Sequence, residues 1–409
     1  MNYPMYGGTS AAATTGSTIY YMFANSSVSL ASSSTESVVA VQFSETTTLS
    51  NFYVQLTTAP GGAASWTFNV MKNGSTSGIT VTISGTATSG IDTINTATWN
   101  ATDTISLQVV PASTPADFSD IWWNVVANGT GQVFLGIPAF TYTTTNINYF
   151  LSGGGEPTSS TLKPELWMPN SGTIKNLYMA RTVAPGAGTS VTYTVIKNGS
   201  ATGVTCTIAD TATTANDTTN TATYVPGDRI MIQTSISGTP ALGADSFGVS
   251  VVPVIDGQSL IGCNATTALA TTGTQYHTPN NTLNWGTAET GVNVGYQRII
   301  GNWSISRTYF RISTSAGASK YYDVTLRKNA TDTLLEERLE SANKISYNSI
   351  DIFQGDKLSI SAVPTNTPTA AAIGVTLLVT QGPSKSGPVN NNYQFFDVGD
   401  GISVGERIR

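Results

Sequence analysis

Short runs of alternating apolar and polar residues recur along the chain. Trp66, Phe68 and Val70 alternate with Thr67, Asn69 and Met71, the period of two that lines one face of a strand with large apolar groups. The run stops at Lys72-Asn73-Gly74, and Asn-Gly supplies the positive φ angles of a tight hairpin. A second run follows, Ile79-Thr80-Val81-Thr82-Ile83, with further strands expected at 105–109 and 122–126.

The whole pattern returns. The segment starting at Ser65 aligns without a gap with the one starting at Ser190, and a diverged copy starts at Lys320. Lys72, Lys197 and Lys328 stand 125 and 131 residues apart, and Asp103, Asp228 and Asp356 follow them by 31, 31 and 28. Copies this long are self-sufficient domains, since solenoid repeats run only to about 50 residues. In the third copy Asn329-Ala330 replaces Asn-Gly, which predicts a different turn. Leu334 to Glu340 has helix-like composition but aligns with strands, so a strand is expected.

More strand-like sequence precedes each core, giving about eight short strands per copy. The expected fold is all-β: three tandem antiparallel β-sandwich domains, jelly-roll or immunoglobulin-like, with strand count favouring jelly roll. The expected divisions are an N-terminal arm at 1–16, sandwiches at 17–145, 146–256 and 257–381, and a C-terminal tail at 382–409. Both flanking segments are short and aromatic. Tyr3, Met5 and Tyr6 in one, and Tyr393, Phe395 and Phe396 in the other, are candidate assembly residues that would dock on an exposed sheet edge.

Composition narrows the function. Only 10% of the 409 residues are charged, and the net charge is −6, so no basic field favours nucleic acid. Cations crowd the last third, among them Arg307, Arg311, Arg327 and Arg338, which points to a different neighbour or surface there. Cys206 and Cys263 cannot form a disulfide framework for a chain of this size. No apolar run reaches the roughly 18 residues of a membrane span, and Met1 to Ser10 lacks the parts of a secretory signal.

Candidate chemistry is sparse. His277, the sole histidine, reads as a loop residue without a triad. One histidine and two scattered cysteines are too few for zinc. Asp117, Asp120, Asp210, Asn216 and Asp217 are possible calcium ligands, though turn capping accounts for the same residues. Gly401 to Gly405 matches Gly-x-Ser-x-Gly but lacks a strand-turn-helix setting. No cofactor, metal or catalytic group is expected, and the chain reads as no enzyme. Asn73, Asn198 and Asn329 head sequons at one equivalent turn, and Trp99, Trp122, Trp123, Trp285 and Trp303 are candidates for stacking on sugars.

The Lys-Asn-Gly hairpin, the Asp-Thr-x-Asn-Thr segment at Asp92 and Asp217, and the Gly-Asp turn at Asp228 resemble repeated β-sandwich modules in structural proteins of tailed phages and related environmental proteins. The resemblance spans all three cores. It implies a decoration or fibre protein on a virion or outside a cell, self-associating or bound to capsid proteins. Two alternatives are a filament subunit polymerising by donor-strand exchange, with Tyr3 and Met5 as anchors, and an adhesin for surface glycans.

Overall fold

The computed structural model describes residues 1–9, 16–23, 32–136, 148–151, 165–264, 268–279, 285–289, 297–298, 301–341 and 343–382. Its first sandwich contains β1 (Asn2–Thr9), β2 (Ile19–Tyr21), β3 (Thr47–Leu56), β4 (Ser65–Lys72), β5 (Ser75–Ser84), β6 (Ser89–Asp92), β7 (Thr104–Ala112) and β8 (Ile121–Gly129). One sheet runs β1-β8-β3-β6 and the other β2-β7-β4-β5. This is the eight-stranded jelly-roll order, which settles the choice against the immunoglobulin arrangement.

The second sandwich repeats it with β9 (Gln132–Gly136), β10 (Asn148–Tyr149), β11 (Gly172–Arg181), β12 (Gly186–Lys197), β13 (Ser200–Asp210), β14 (Thr214–Tyr224), β15 (Arg229–Ser237) and β16 (Asp245–Pro253). The third has β17 (Gln258–Asn264), β18 (Gln275–His277), β19 (Trp303–Ile312), β20 (Tyr321–Lys328), β21 (Thr331–Leu339), β22 (Lys344–Ser346), β23 (Lys357–Thr365) and β24 (Ile373–Gln381). Leu334 to Leu339 is thus a strand, as its alignment predicts.

These ladders move the expected boundaries. The supposed arm at 1–16 contains β1, which pairs residue for residue with β8 from Asn2↔Asn128 to Thr9↔Ile121. Residues 132–136, assigned to the first sandwich, pair instead with β16 of the second. The first two sandwiches therefore begin about 15 residues earlier than periodicity suggests, while the third begins at Gln258, next to its expected boundary at 257. The signal was hidden because β1 and β9 carry Gly7 and Gly136 where alternation calls for an apolar side chain. At both positions an added Cβ would fall within 2.5 Å of an aromatic ring, Trp123 or Phe247, that covers the glycine.

The three sandwiches close on one another in a ring. The short strand Val41–Gln42 of the first lies on the outer face of β16, so close that a Cβ on Gly248 would meet the Gln42 carbonyl oxygen at 2.2 Å. At the equivalent place Leu166 of the second sits over Gly262 of the third, and Trp167 stacks on Tyr309 at 5.0 Å. Gln297–Arg298 of the third approaches β8 of the first. The cores interlock in the same order. Val133 and Leu135 join the first core, Leu260 and Leu378 the second, and Tyr6 with Val126 the third. Val126, Ser250 and Leu378 hold equivalent registers in the last strand of each copy, so the arrangement has pseudo-threefold symmetry. Ser250 meets Ser44 of the first sandwich at 2.7 Å between buried hydroxyls.

This packing explains two sequence patterns. The last strand of each sandwich is buried on both faces, hence its continuous apolar runs in place of alternation. The sheet containing β4 and β5 keeps one face in water, where Thr67 pairs with Thr82 and, in the second copy, Thr192 with Thr207 and Thr194 with Thr205.

The third hairpin departs from expectation. Asn329 and Ala330 have φ of 53° and 62°, matching Asn73-Gly74 at 50° and 79° and Asn198-Gly199 at 53° and 82°. The same turn is kept with an alanine in the left-handed region, a conformation that costs a non-glycine residue about 1–2 kcal/mol. Replacing Ala330→Gly should raise stability by about 0.5 kcal/mol after the entropy gained by the unfolded chain, while Gly199→Ala should lower it by about 1 kcal/mol. Urea unfolding midpoints read both.

Candidate functional site

The Lys-Asn…Asp landmarks form one device three times. Lys72 pairs with Asp103 at 3.0 Å and donates to the Thr98 carbonyl at 2.6 Å. The Asn73 amide donates to Asp103 at 2.7 Å, and Asn73 Oδ1 accepts from the Thr104 amide at 2.7 Å. Asn198 with Asp228 and Asn329 with Asp356 repeat this at 2.6 and 2.7 Å. The clasp ties the β4-β5 hairpin to the turn before β7. It also engages the amide nitrogens of all three sequons, the atoms a glycan would modify.

The Asp-Thr-x-Asn segment is a second device. Asp92 accepts from the amides of Thr80, Ile94 and Asn95 and from the Asn95 side chain, all at 3.0–3.1 Å. Asp217 has the same four donors at 2.9–3.1 Å. Burial opposes ionisation, but these donors outweigh it and hold both carboxyls below their ordinary value. Turn fixation thus uses the oxygens that calcium binding would require of Asp217. Among the described residues no group of three histidine, cysteine or acidic side chains converges.

His277 is not a loop residue. It is fully buried on β18, its ring 5.1 Å from that of Trp285, with Nδ1 2.6 Å from the Thr278 carbonyl oxygen. By strand register its counterparts are Tyr21 and Tyr149, so the position is a core aromatic in every copy. Trp99, Trp122, Trp123 and Trp303 are at most 2% exposed and Trp285 is 7% exposed, which removes them as sugar platforms. Both cysteines are free and buried, and burial pushes each thiol up to about 12.

Of the candidate assembly residues, Tyr3 and Met5 share one face of β1 and lie in the first core. The Val133 amide donates to the Tyr3 hydroxyl at 3.2 Å. Tyr6 points the other way, into the third core. Tyr393, Phe395 and Phe396 lie outside the described residues. The cations of the last third find specific partners. Arg307 donates to the Pro169 carbonyl at 2.6 Å, Arg311 and Arg229 flank Glu165 at 3.9 and 3.4 Å, and Arg338 pairs with Asp323 at 3.0 Å. Arg307 and Arg311 thereby join the third sandwich to the second.

Two features escape a motif search. The first is an ion pair in the second core. Arg181 and Asp245, neither side chain exposed, are 3.3 Å apart, and Asp245 also accepts from the hydroxyls of Tyr193 at 2.5 Å and Tyr149 at 3.2 Å. At the same cross-strand register the first sandwich has Leu56↔Ile121 and the third Ile312↔Ile373. Burial pushes the Asp245 carboxyl up to about 7, against the pull of Arg181 and the two tyrosines. The second is a cleft of about 480 Å³ between the first and second sandwiches, bordered by Glu36, Gln42, Thr104, Ala180, Thr213 and Ser246 among others.

No protein-family model matches the chain, and no curated protein matches it. Among the described residues no helix is long and apolar enough to cross a membrane.

Two outcomes follow from these groups. Arg181→Leu alone strands a buried carboxyl and should cost about 3–5 kcal/mol, whereas Arg181→Leu with Asp245→Ile and Tyr193→Phe, which copies the first core, should restore or exceed the original stability; denaturant unfolding separates them. Asp92, Asp103, Asp217 and Asp356 all have lowered folded values. Their stabilisation is complete above the ordinary aspartate value of 3.8 and is lost as pH falls through the lowered values. The thermal midpoint should therefore drop between about pH 5 and about pH 2, and less steeply in Asp92→Asn/Asp217→Asn.

Proposed function

We propose that this chain is a non-enzymatic structural subunit of an extracellular or virion-surface assembly, a decoration or fibre-like protein. The observation that carries the reading is the closed ring of three interlocked jelly rolls. Several of its few charges are engaged in clasps and inter-sandwich ties, and its wet sheets present hydroxyls and amides. A rigid, weakly charged body of this kind suits display on a surface.

The placement of the chain's segments adds support. The amino group of Met1 donates to the Gly129 carbonyl at 2.6 Å and lies 3.9 Å from Asp256, and the Asn2 side chain donates to Gln381 at 3.3 Å. The start of β1, both links between sandwiches and the end of β24 thus meet at one end of the ring, from which residues 383–409 continue. Contact with a further copy or a capsid protein through that end leaves the sides of the ring free. Donor-strand exchange through residues 1–16 has less support, because β1 already completes its own sheet with Tyr3 and Met5 inside.

Density-gradient fractionation of the source material, with antibody labelling under negative stain, tests the proposal. The chain should band with particles or surface structures and decorate them as compact heads. Recovery solely as free protein, or as the sole constituent of strand-exchanged filaments that vanish on deletion of residues 1–16, overturns it.

A further inference from the structure

The three interfaces of the ring are equivalent by register but are not filled alike. Ala40, Thr104 and Ala180 at the first interface correspond to Glu165, Arg229 and Arg311 at the second. There the carboxylate lies between two guanidinium groups and fills the space. Ser246 corresponds to Trp122 at the third interface, an indole only 1% exposed. Small side chains thus leave the first interface open as the cleft of about 480 Å³, within the range of small-molecule sites.

Its lining sets the chemistry of an occupant. Thr104, Thr182, Thr213 and Ser246 bring hydroxyls, Gln42 and Asn73 bring amides, and Glu36, which accepts from Ser106 at 2.9 Å, adds a carboxylate to that of the Arg181-paired Asp245. Ala40, Ala180 and Ala244 supply small apolar patches between them. The Arg181 guanidinium bordering the cleft is turned into the second core, where it meets Asp245 and the Ala241 carbonyl. Without an available cation the cleft disfavours phosphate or carboxylate ligands. Hydroxyl and amide groups alternating with methyls match a molecule that carries hydroxyls along an apolar ring.

We propose that the cleft between the first and second sandwiches is a binding site for a neutral saccharide of one or two units. The inference does not depend on the assembly role and places sugar recognition away from the buried tryptophans. The full chain is titrated with glucose, galactose, N-acetylglucosamine, lactose, maltose and N,N′-diacetylchitobiose, followed by saturation-transfer NMR and calorimetry. At least one should bind saturably. Binding should fall at least tenfold in Ala40→Glu/Thr104→Arg/Ala180→Arg, which grafts the second interface's triad into the cleft, and in the milder Ala180→Leu, both checked for an unchanged unfolding midpoint. Binding by no sugar of the panel, binding that survives in whichever plugged variant keeps its midpoint, or saturable binding of sodium, potassium or calcium alone overturns the proposal.

Discussion

The outer face of one sheet in each jelly roll is kept from water along its last strand, and the rest of the molecule depends on that. In an isolated sandwich the β1-β8-β3-β6 sheet would expose Trp122 and Val126, and its counterparts would expose Leu378 and Tyr309. Each face is covered by the short strand of the preceding sandwich in the ring, Val41–Gln42, Leu166–Trp167 or Gln297–Arg298. Since burial of apolar area is the dominant favourable term in folding, the sandwiches are parts of one core system. Tyr3 and Gln132 show the same rule in polar form. From equivalent registers, Tyr3 accepts from the Val133 amide, and Gln132 bonds both backbone groups of Leu260 at 2.6–2.7 Å. At the third position of this circuit Pro4 has no amide proton to offer, and Ser259 turns to its own sheet at Val379.

Scarce charge is deployed where geometry must be fixed. Three lysine-asparagine-aspartate clasps lock hairpins to neighbouring turns, two aspartates organise the Asp-Thr-x-Asn segment, and Glu165 with two arginines ties the second sandwich to the third. Charge-assisted hydrogen bonds to backbone amides hold a turn more firmly than neutral ones. A protein with one residue in ten charged thus fixes these particular turns.

Much of this was legible in the sequence. Alternation at Trp66-Phe68-Val70, the Asn-Gly turns and the constant Lys-to-Asp spacing correctly gave an all-β chain of three copies, because hairpins and half-buried strands obey local rules. The first strands of the first two copies were placed outside their sandwiches, since Gly7 and Gly136 break the apolar pattern and the rings that compensate come from a strand over a hundred residues away. His277 was misplaced for a similar reason: its strand has three residues, and its burial is set by β23 and Trp285. Arg181 and Asp245 lie outside the aligned repeat cores, and both their correspondence with Leu56 and Ile121 and their pairing emerge only from the β11-β16 register. The cleft left no motif at all. Small residues become informative only when their counterparts in the sister interfaces are known.

Covalent linkage of the three copies changes what substitution can achieve. In an assembly of three identical chains every replacement is made three times, so a pocket, a buried ion pair or a bulky indole must suit all interfaces at once. Here Thr130–Gly131 and the short segment before Gln258 join copies that vary independently. One interface has closed over Trp122, another over an arginine-flanked glutamate, and a third stands open. The fused chain keeps the mechanical benefit of a trimer while its three joints specialise separately.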